Sequence, residues 1–320
     1  MTHAGESHLM LNRPHGNQWR VGVLPGENQT AVAVVRARKD GKPLLKQCSA
    51  HAVAESGAEG PLVSITRERS MARVPVSGVV RTEDYQLVQV EAPEVLPAEM
   101  RAAVRWRLKD AIDFDIDDAV FDVFEIPEPP RRTQSRMMFA VAARNQAVQR
   151  VSGLIAPYAR GFDVIDIPEL CQRNLSALLP HDKKGVAMLT LSDKFAQLVL
   201  TRESVLYLTR RIELTRAHDM PRRSGSAPDA DVSALALEVQ RSLDYYESHY
   251  DHTPITHLVL APGDERAAAL AVALRNEMSL QIELFNIAEL FELDGGISID
   301  TDWSCLMALG AALRSDRPKA

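Results

Sequence analysis

Residues 95–126 read VLPAEMRAAVRWRLKDAIDFDIDDAVFDVFEI, and the fold is decided here. The stretch predicts a helix stopped by an acidic turn and followed by a strand. Pro97 suits the first helical position, where a missing N–H costs nothing, and Glu99 lies near the positive end of the helix dipole. Met100, Val104, Leu108 and Ala111/Ile112 recur at helical spacing and make one apolar stripe. Arg101, Arg105, Arg107 and Lys109 fill the remaining surface. Trp106 lies off the stripe, and the segment contains no catalytic motif.

Outward from this segment, Tyr85–Val90 alternates as a half-buried strand. Residues 127–136 (PEPPRRTQSR) are a proline-rich surface loop between two strands. Met137–Ala143 is the second of those strands. The helix predicted for Asn145–Arg160 carries Val148, Val151, Leu154/Ile155 and Tyr158 on one face, with Gly161 as C-cap. Strand, helix, strand, strand and helix over residues 85–161 make a compact α+β unit.

Before it, Trp19–Leu24, Thr30–Arg38 and Leu44–Ala50 read as three strands, with Asp40-Gly41 as a hairpin signal. A helix near Glu59–Glu68 and a strand at Val74–Val80 follow. After the unit, Phe162–Ile167 is a strand, and Pro168 opens a helix ending near Leu179. The second half restarts with Val186–Leu191, Phe195–Leu200 and Val205–Ile212, a meander with polar turns. A long helix over Val232–Tyr250 has Leu235, Val239, Leu243, Tyr246 and Tyr250 on one stripe. Strand His257–Ala261, helix Glu265–Met278, strand Gln281–Phe285 and helix Trp303–Leu313 complete the chain. Two halves that each begin with a meander and then alternate helix and strand imply a duplicated α/β architecture.

The expected organisation is a disordered lead-in at 1–18 and a first subdomain made of 19–84 and 162–184. The terminal helix 303–314 joins that subdomain. The inserted unit spans 85–161, and the second half 185–302 includes a mobile loop at 216–231. With 320 residues, 46% hydrophobic and 25% charged, the chain is long enough for about two domains. A formal net charge of -6 with interspersed basic residues offers no field for nucleic acid. Three cysteines without CxxC spacing suit a reducing compartment. The polar N-terminus lacks a signal-peptide core, and the longest apolar run, Ala267–Leu274, is less than half of the roughly 20 residues that span a bilayer. A cytoplasmic location is expected, with membrane contact only through a partner.

Site chemistry is sparse. Asp113, Asp115, Asp117 and Asp118 invite a calcium loop, but Asp118 stands where glycine is needed at position six and Phe124 where glutamate is needed at position twelve. His249 and His252 at i, i+3, with His257 and Asp251 nearby, lack a completing ligand, so no metal is expected. GxSxG, HExxH and Walker loops are absent from the sequence.

The chain resembles PilM-type proteins of type IV pilus assembly, with the branch of the mannose-sensitive haemagglutinin (MSHA) pilus, MshI, most similar. The resemblance runs from Trp19 onward. It rests on Leu96-Pro97 with Glu99 and Met100, Trp106, Phe121-Asp122, Ala140–Ala143, Phe162–Ile167, Leu237-Glu238 with Arg241–Tyr246, and Ala308-Leu309-Gly310 with Ala312-Leu313-Arg314. It implies an actin-like (ribonuclease H-like) duplicated α/β fold of the PilM/FtsA type with an inserted α+β subdomain. In that fold ATP lies between two glycine turns and an adenosine motif. The first turn should carry Asp-x-Gly, and here Leu24-Pro25-Gly26 stands in its place. The second reads Thr190-Leu191-Ser192, without acid or glycine. The adenosine motif keeps one glycine, Gly263, in Ala261-Pro262-Gly263. Loss of both acids removes the usual magnesium anchors, so the expectation is a nucleotide-independent pseudo-ATPase without cofactor, ATP and magnesium binding only if the degenerate cleft still accepts them.

The resemblance further implies a cytoplasmic scaffold, peripheral at the inner membrane, that docks the N-terminal tail of a bitopic PilN-like (MshJ-like) protein beside subdomain 85–161 and engages the pilus assembly machinery. Trp106 either lines that groove or packs between subdomains, the second being the commoner fate of such a residue. The alternatives are an ATP-binding PilM-type switch, a sugar-kinase-like enzyme, and the cytoplasmic domain of a type II secretion component (GspL-like). The last normally continues into a transmembrane helix, which this sequence does not show before Ala320.

Overall fold

The computed structural model describes residues 19–38, 41–52, 74–96, 99–127, 136–157, 162–214, 230–250, 253–295 and 299–314. The lead-in 1–18, the helix predicted near Glu59–Glu68, Pro97, the C-cap Gly161 and the loop residues 216–229 lie outside these.

Alternation along the first strand sets the layers. In β1 (Trp19–Pro25) Val21 and Val23 are buried on one face, while Gly22 and Leu24 point to the other. β2 (Gln29–Arg36) and β3 (Leu44–Ala52) add to it antiparallel. Gly41 supplies the turn between them at φ +110°, in the left-handed region that favours glycine. β4 (Val76–Val79) and β8 (Phe162–Asp166) join parallel on the other side of β1. The order is β3-β2-β1-β4-β8, with the two-residue β14 (Glu292–Leu293) outside β3.

The second half repeats the plan. β9 (Val186–Leu191), β10 (Phe195–Arg202) and β11 (Val205–Glu213) form an antiparallel meander, and β12 (His257–Ala261) and β13 (Gln281–Leu284) run parallel to β9. The order β11-β10-β9-β12-β13 reproduces the first sheet strand for strand.

The inserted unit holds a third sheet, β5-β7-β6, from Tyr85–Glu91, Met137–Arg144 and Ala119–Glu125. Helix α1 (Met100–Lys109) covers it with Val104 and Leu108, which pack with Ile112, Ile116, Met138, Ala140 and Ala142 into a separate small core. The helix begins at Met100 with Glu99 as N-cap, and Ala111 is exposed while Ile112 is buried. Helix α2 (Asn145–Ile155) buries Val151 and Ile155 beneath Val21, Val23, Val32 and Val34 of the first sheet.

Two helices cross between the halves. α3 (Pro168–Ser176), expected with 162–184 in the first subdomain, packs on both the terminal helix and the second sheet. The Gln172 side-chain amide donates to the carbonyls of Met188 (2.7 Å) and Gln197 (2.9 Å), so its burial is satisfied by second-half backbone. It ends at Ser176, short of Leu179, because the chain tightens into i→i+3 bonds from Leu178 to Leu175 and from Leu179 to Ser176. The terminal α7 (Trp303–Ala312) lies on the first sheet.

Residues 292–295 and 299–300, expected in the second half on sequence, return to the first sheet. Glu292 N donates to Pro43 O (2.9 Å), Asp294 N to Leu45 O (2.9 Å), and Ala50 N to Asp300 Oδ2 (3.0 Å). They cover the backbone edge of β3. The long α4 (Ala230–His249) buries Leu235, Val239, Leu243 and Tyr246 against the second sheet, with Tyr250 beyond its end. Its first two residues fall within the loop predicted at 216–231. α5 (Glu265–Glu277) and the single-turn α6 (Ile287–Leu290) complete the described elements.

Candidate functional site

The β1–β2 and β9–β10 turns face the two ends of a short bridge made by the start of α7. From the first turn, Gln29 Nε2 donates to Ser304 Oγ (3.1 Å). From the second, the Phe195 ring meets Trp303 edge-on at 5.6 Å, with the Arg211 guanidinium over its face at 4.0 Å. Arg266, in the first turn of α5, reaches the second turn as well, donating to Ser192 O (2.7 Å) and pairing with Asp193 (3.4 Å).

Each turn bonds part of its backbone internally. In the first, Pro25 has no N–H and the Gly26 N–H is given to Gln29 O (2.8 Å). Glu27 projects from this turn to an ion pair with Arg81 (2.9 Å), and the same Arg81 binds Asp84 (2.8 Å), which holds the guanidinium well above its ordinary pKa. In the second turn, Ser192 N donates to Phe195 O (2.9 Å), and Ser192 Oγ accepts from Lys194 N (3.2 Å) and Phe195 N (3.0 Å). Thr190 is fully buried within β9, and Leu24 is core.

The two nearby helix starts are capped by carboxylates. Asp302 Oδ1 accepts from Cys305 N (2.7 Å) and Asp264 Oδ1 from Ala267 N (2.8 Å). A triphosphate with magnesium needs free N–H groups, a cation and an oriented acid. Here the Gly26 and Ser192 N–H groups are already bonded, the helix starts already hold acids, and apolar Leu24 and neutral Thr190 stand in the acid positions. The residues present do not fit that group.

Gly263 plays a packing part. A Cβ there would come 3.3 Å from the Phe285 carbonyl carbon and closer to its oxygen. It also lines a cavity of about 520 Å³ with Asn286, Ile287, Leu293, Ile299 and Thr301. Among the described residues no lysine or arginine lines this cavity.

The acidic turn after α1 is internally bonded. Asp115 caps the 3₁₀ turn Ile116–Asp118 by accepting from Asp117 N (2.9 Å), Asp117 pairs with Arg105, and Asp113 N donates to Gln86 Oε1 (2.9 Å). Trp106 is 72% exposed, which overturns packing between subdomains. Its neighbours Arg105 and Arg107 are held in ion pairs to Asp117 and Glu91. Leu96 and Val120 are exposed on the same subdomain.

Among the histidines singled out on sequence, His249 Nδ1 stays within 2.9 Å of Tyr245 O on its own helix, and His252 lies outside the described residues. His257 instead meets two residues sequence reasoning did not connect to it, His181 and Glu283. The parallel register aligns His257 with Glu283, and the turn before β9 carries His181 to them.

Two sheets of order 3-2-1-4-5, each followed by a helix that packs on the other half, and an α+β insertion in the first, define an actin-like fold. One chain of a PilM–PilN type IV pilus biogenesis complex shares this fold at TM-score 0.64 and 19% identity, over 95% of this chain and 100% of that one. Lower likenesses include the cytoplasmic domain of EpsL from the Vibrio cholerae type II secretion system, at TM-score 0.47 and 12% identity over 93% and 96%. A Bacteroides thetaiotaomicron protein of actin-like ATPase fold matches at TM-score 0.46 and 9% identity over 88% and 96%. No family model and no curated protein matches the sequence. No described helix is long and apolar enough to cross a membrane.

Proposed function

We propose that the protein is a PilM-like scaffold of a type IV pilus machine, of the MSHA (MshI) kind, that works without hydrolysing ATP. It docks the cytoplasmic tail of a bitopic, PilN-like inner-membrane protein (the MshJ-like partner) and thereby sits at the cytoplasmic side of the membrane. The observation that carries the reading is the contrast between two regions of one actin-like chain. The turns that would hold phosphates have closed on themselves, while the inserted subdomain exposes Trp106 beyond a small core already filled by Val104 and Leu108.

A large aromatic inside a rim of paired charges has the anatomy of a binding hot spot. The assembly of the PilM–PilN neighbour supplies the class of partner. An extended peptide laid across α1 would bury the indole and part of the arginine stems.

The test is titration calorimetry of the full chain with the N-terminal peptide of the small bitopic protein encoded beside it. Micromolar binding that Trp106→Ala weakens about tenfold or more supports the reading. Undiminished binding in that variant moves the dock elsewhere, and absence of binding rejects the scaffold. A second reading, an ATP-binding switch of the PilM type, draws on the cavity beside Gly263, whose size suits a small ligand.

A further inference from the structure

We propose that His181, His257 and Glu283 form a three-ligand site for a divalent transition ion of the zinc type, with water completing the coordination. One ligand atom from each residue lies within 4.8 Å of the others. His181 Nε2 is 3.2 Å from Glu283 Oε2, and His257 Nε2 is 4.0 Å from Glu283 Oε1. The two imidazoles stack at 3.6 Å between centroids, 15° from parallel. Glu283 therefore bonds well to one ring and poorly to the other, whereas an ion between the three would satisfy all of them.

The three residues come from separate elements, and each is held. The parallel register pairs His257 with Gln281 and Val259 with Glu283, so His257 and Glu283 project from the same face of the sheet. His181 sits in the turn between α3 and β9, where its carbonyl accepts from Lys184 N (3.0 Å) and Gly185 N (3.1 Å). The next residue, Asp182, is buried and accepts from Thr201 Oγ1 (3.1 Å) and Ser204 N (2.7 Å), which fixes the turn on the sheet. His257 Nδ1 lies 2.9 Å from Thr256 Oγ1. That contact leaves Nε2 as the nitrogen facing Glu283, and a metal-ligating histidine of this kind gives its Nδ1–H to an oxygen and its Nε2 lone pair to the ion.

Zinc–ligand distances of about 2.0–2.2 Å place neighbouring ligand atoms about 3.3 Å apart. To share an ion, the two stacked rings must turn about Cβ–Cγ until both Nε2 lone pairs converge beside the carboxylate. Two imidazoles and one carboxylate suit zinc, nickel or copper rather than magnesium or calcium. Side-chain exposures of 25%, 19% and 46% leave a solvent side for the water. His257 begins β12, and the Ala261–Gly263 turn follows its other end, so the ion would clamp the α3–β9 turn to the second sheet far from the phosphate-type turns.

The experiment titrates Zn²⁺ into the chelator-treated full chain by calorimetry, with Co²⁺ absorption as a second readout. Because His3, His8 and His15 offer other ligands, the same titration is run with these three changed to alanine. One equivalent is expected in both backgrounds, with a rise in Tm. His181→Ala, His257→Ala and Glu283→Gln should each weaken binding about tenfold or more and abolish the Tm rise. Should an alanine variant fail to fold, Glu283→Gln, on a half-exposed side chain, carries the comparison. Affinity weaker than about 0.1 mM, or affinity unchanged by the folded variants, overturns the site. The readout involves neither nucleotide nor partner peptide, so its failure is separate from failure of the scaffold reading.

Discussion

The backbone of Gly310 lies against that of Cys171, where the two helices that exchange between the halves cross. A Cβ built on Gly310 would sit 2.6 Å from the Cys171 carbonyl carbon and closer still to its oxygen. The Asn174 side-chain amide donates to Gly310 O (2.9 Å) across the same crossing. On the other side of α7, a Cβ on Gly22 of β1 would stand 2.7 Å from Ala312 N. Helix α7 is thus wedged between a strand and a helix at backbone contact, and the two halves share one rigid joint.

Gly310→Ala should destabilise the protein. Alanine is favoured over glycine in a helix by about 1 kcal/mol, but here the methyl meets peptide backbone, which cannot rotate away. Overpacking of this kind typically costs about 1–3 kcal/mol, occasionally more. The net expectation is a loss of about 2 kcal/mol in urea unfolding, against the gain that propensity alone would give. A more stable variant would show that the helices separate easily.

Arg314→Leu should be costlier than most surface changes. Its guanidinium pairs with Asp166 (2.9 Å), a fully buried carboxylate whose other oxygen accepts from Ile167 N (3.0 Å). Removing one partner of a buried pair typically costs about 3–5 kcal/mol. Arg173 also acts on Asp166, so the lower end, about 3 kcal/mol, is expected from chemical unfolding. The double variant Asp166→Asn, Arg314→Leu should recover part of the loss.

Glu169 and Tyr85 give a pH dependence. The Tyr85 hydroxyl donates to Glu169 Oε2 (2.5 Å) inside the joint between the inserted subdomain and α3. Burial raises the Glu169 pKa above the ordinary carboxylate range, and the tyrosine bond only partly opposes this. The folded chain therefore holds this proton more tightly than the unfolded one. Its contribution is complete below the ordinary glutamate pKa and is lost as pH rises through the folded value. Glu169→Gln should be near neutral at low pH and increasingly favourable relative to the parent as pH rises. Parallel stability curves for the two proteins would refute this.

Much of this fold was legible because its signals are local. The stripes Val104–Leu108 and Leu235–Val239–Leu243–Tyr246 keep strict helical spacing, and the meander strands alternate or run apolar between polar turns. That Leu24-Pro25 and Thr190–Ser192 carry no Asp-x-Gly was legible directly as residue types. Where α3 packs was not visible, because Gln172 reads as a surface residue until its amide meets Met188 and Gln197 carbonyls across the joint. β14 is two residues long and exists through pairing with Leu44 and Leu45, so no window of sequence could show it. The same holds for His181 beside His257, which depends on where the turn before β9 lies against β12 rather than on spacing.

ATP with magnesium should not bind measurably. If the Gly26 N–H remains with Gln29 O and Asp302 remains on Cys305 N, a phosphate must displace bonds already made and approach Glu27 and Asp193. Calorimetry with and without magnesium should show no heat at micromolar ligand. Micromolar affinity would instead establish the switch reading. Ser192→Gly alone should not restore binding, because it supplies neither of the two missing acids.

Two residues on α1, two positions apart, should separate folding from docking. Leu108 is fully buried in the small core with Val104, Ile112 and Met138, so Leu108→Ala should cost about 2–5 kcal/mol and can melt the subdomain. Trp106 faces water with 72% of its surface, and the core beneath is complete without it. Trp106→Ala should change stability by no more than about 0.5 kcal/mol, with unchanged far-ultraviolet circular dichroism. If docking rests on the indole, this stable variant loses partner binding while Lys109→Ala, exposed on the same helix, keeps it. A large stability loss in Trp106→Ala would mean that the indole packs in solution, and the dock would then have to be sought on another face.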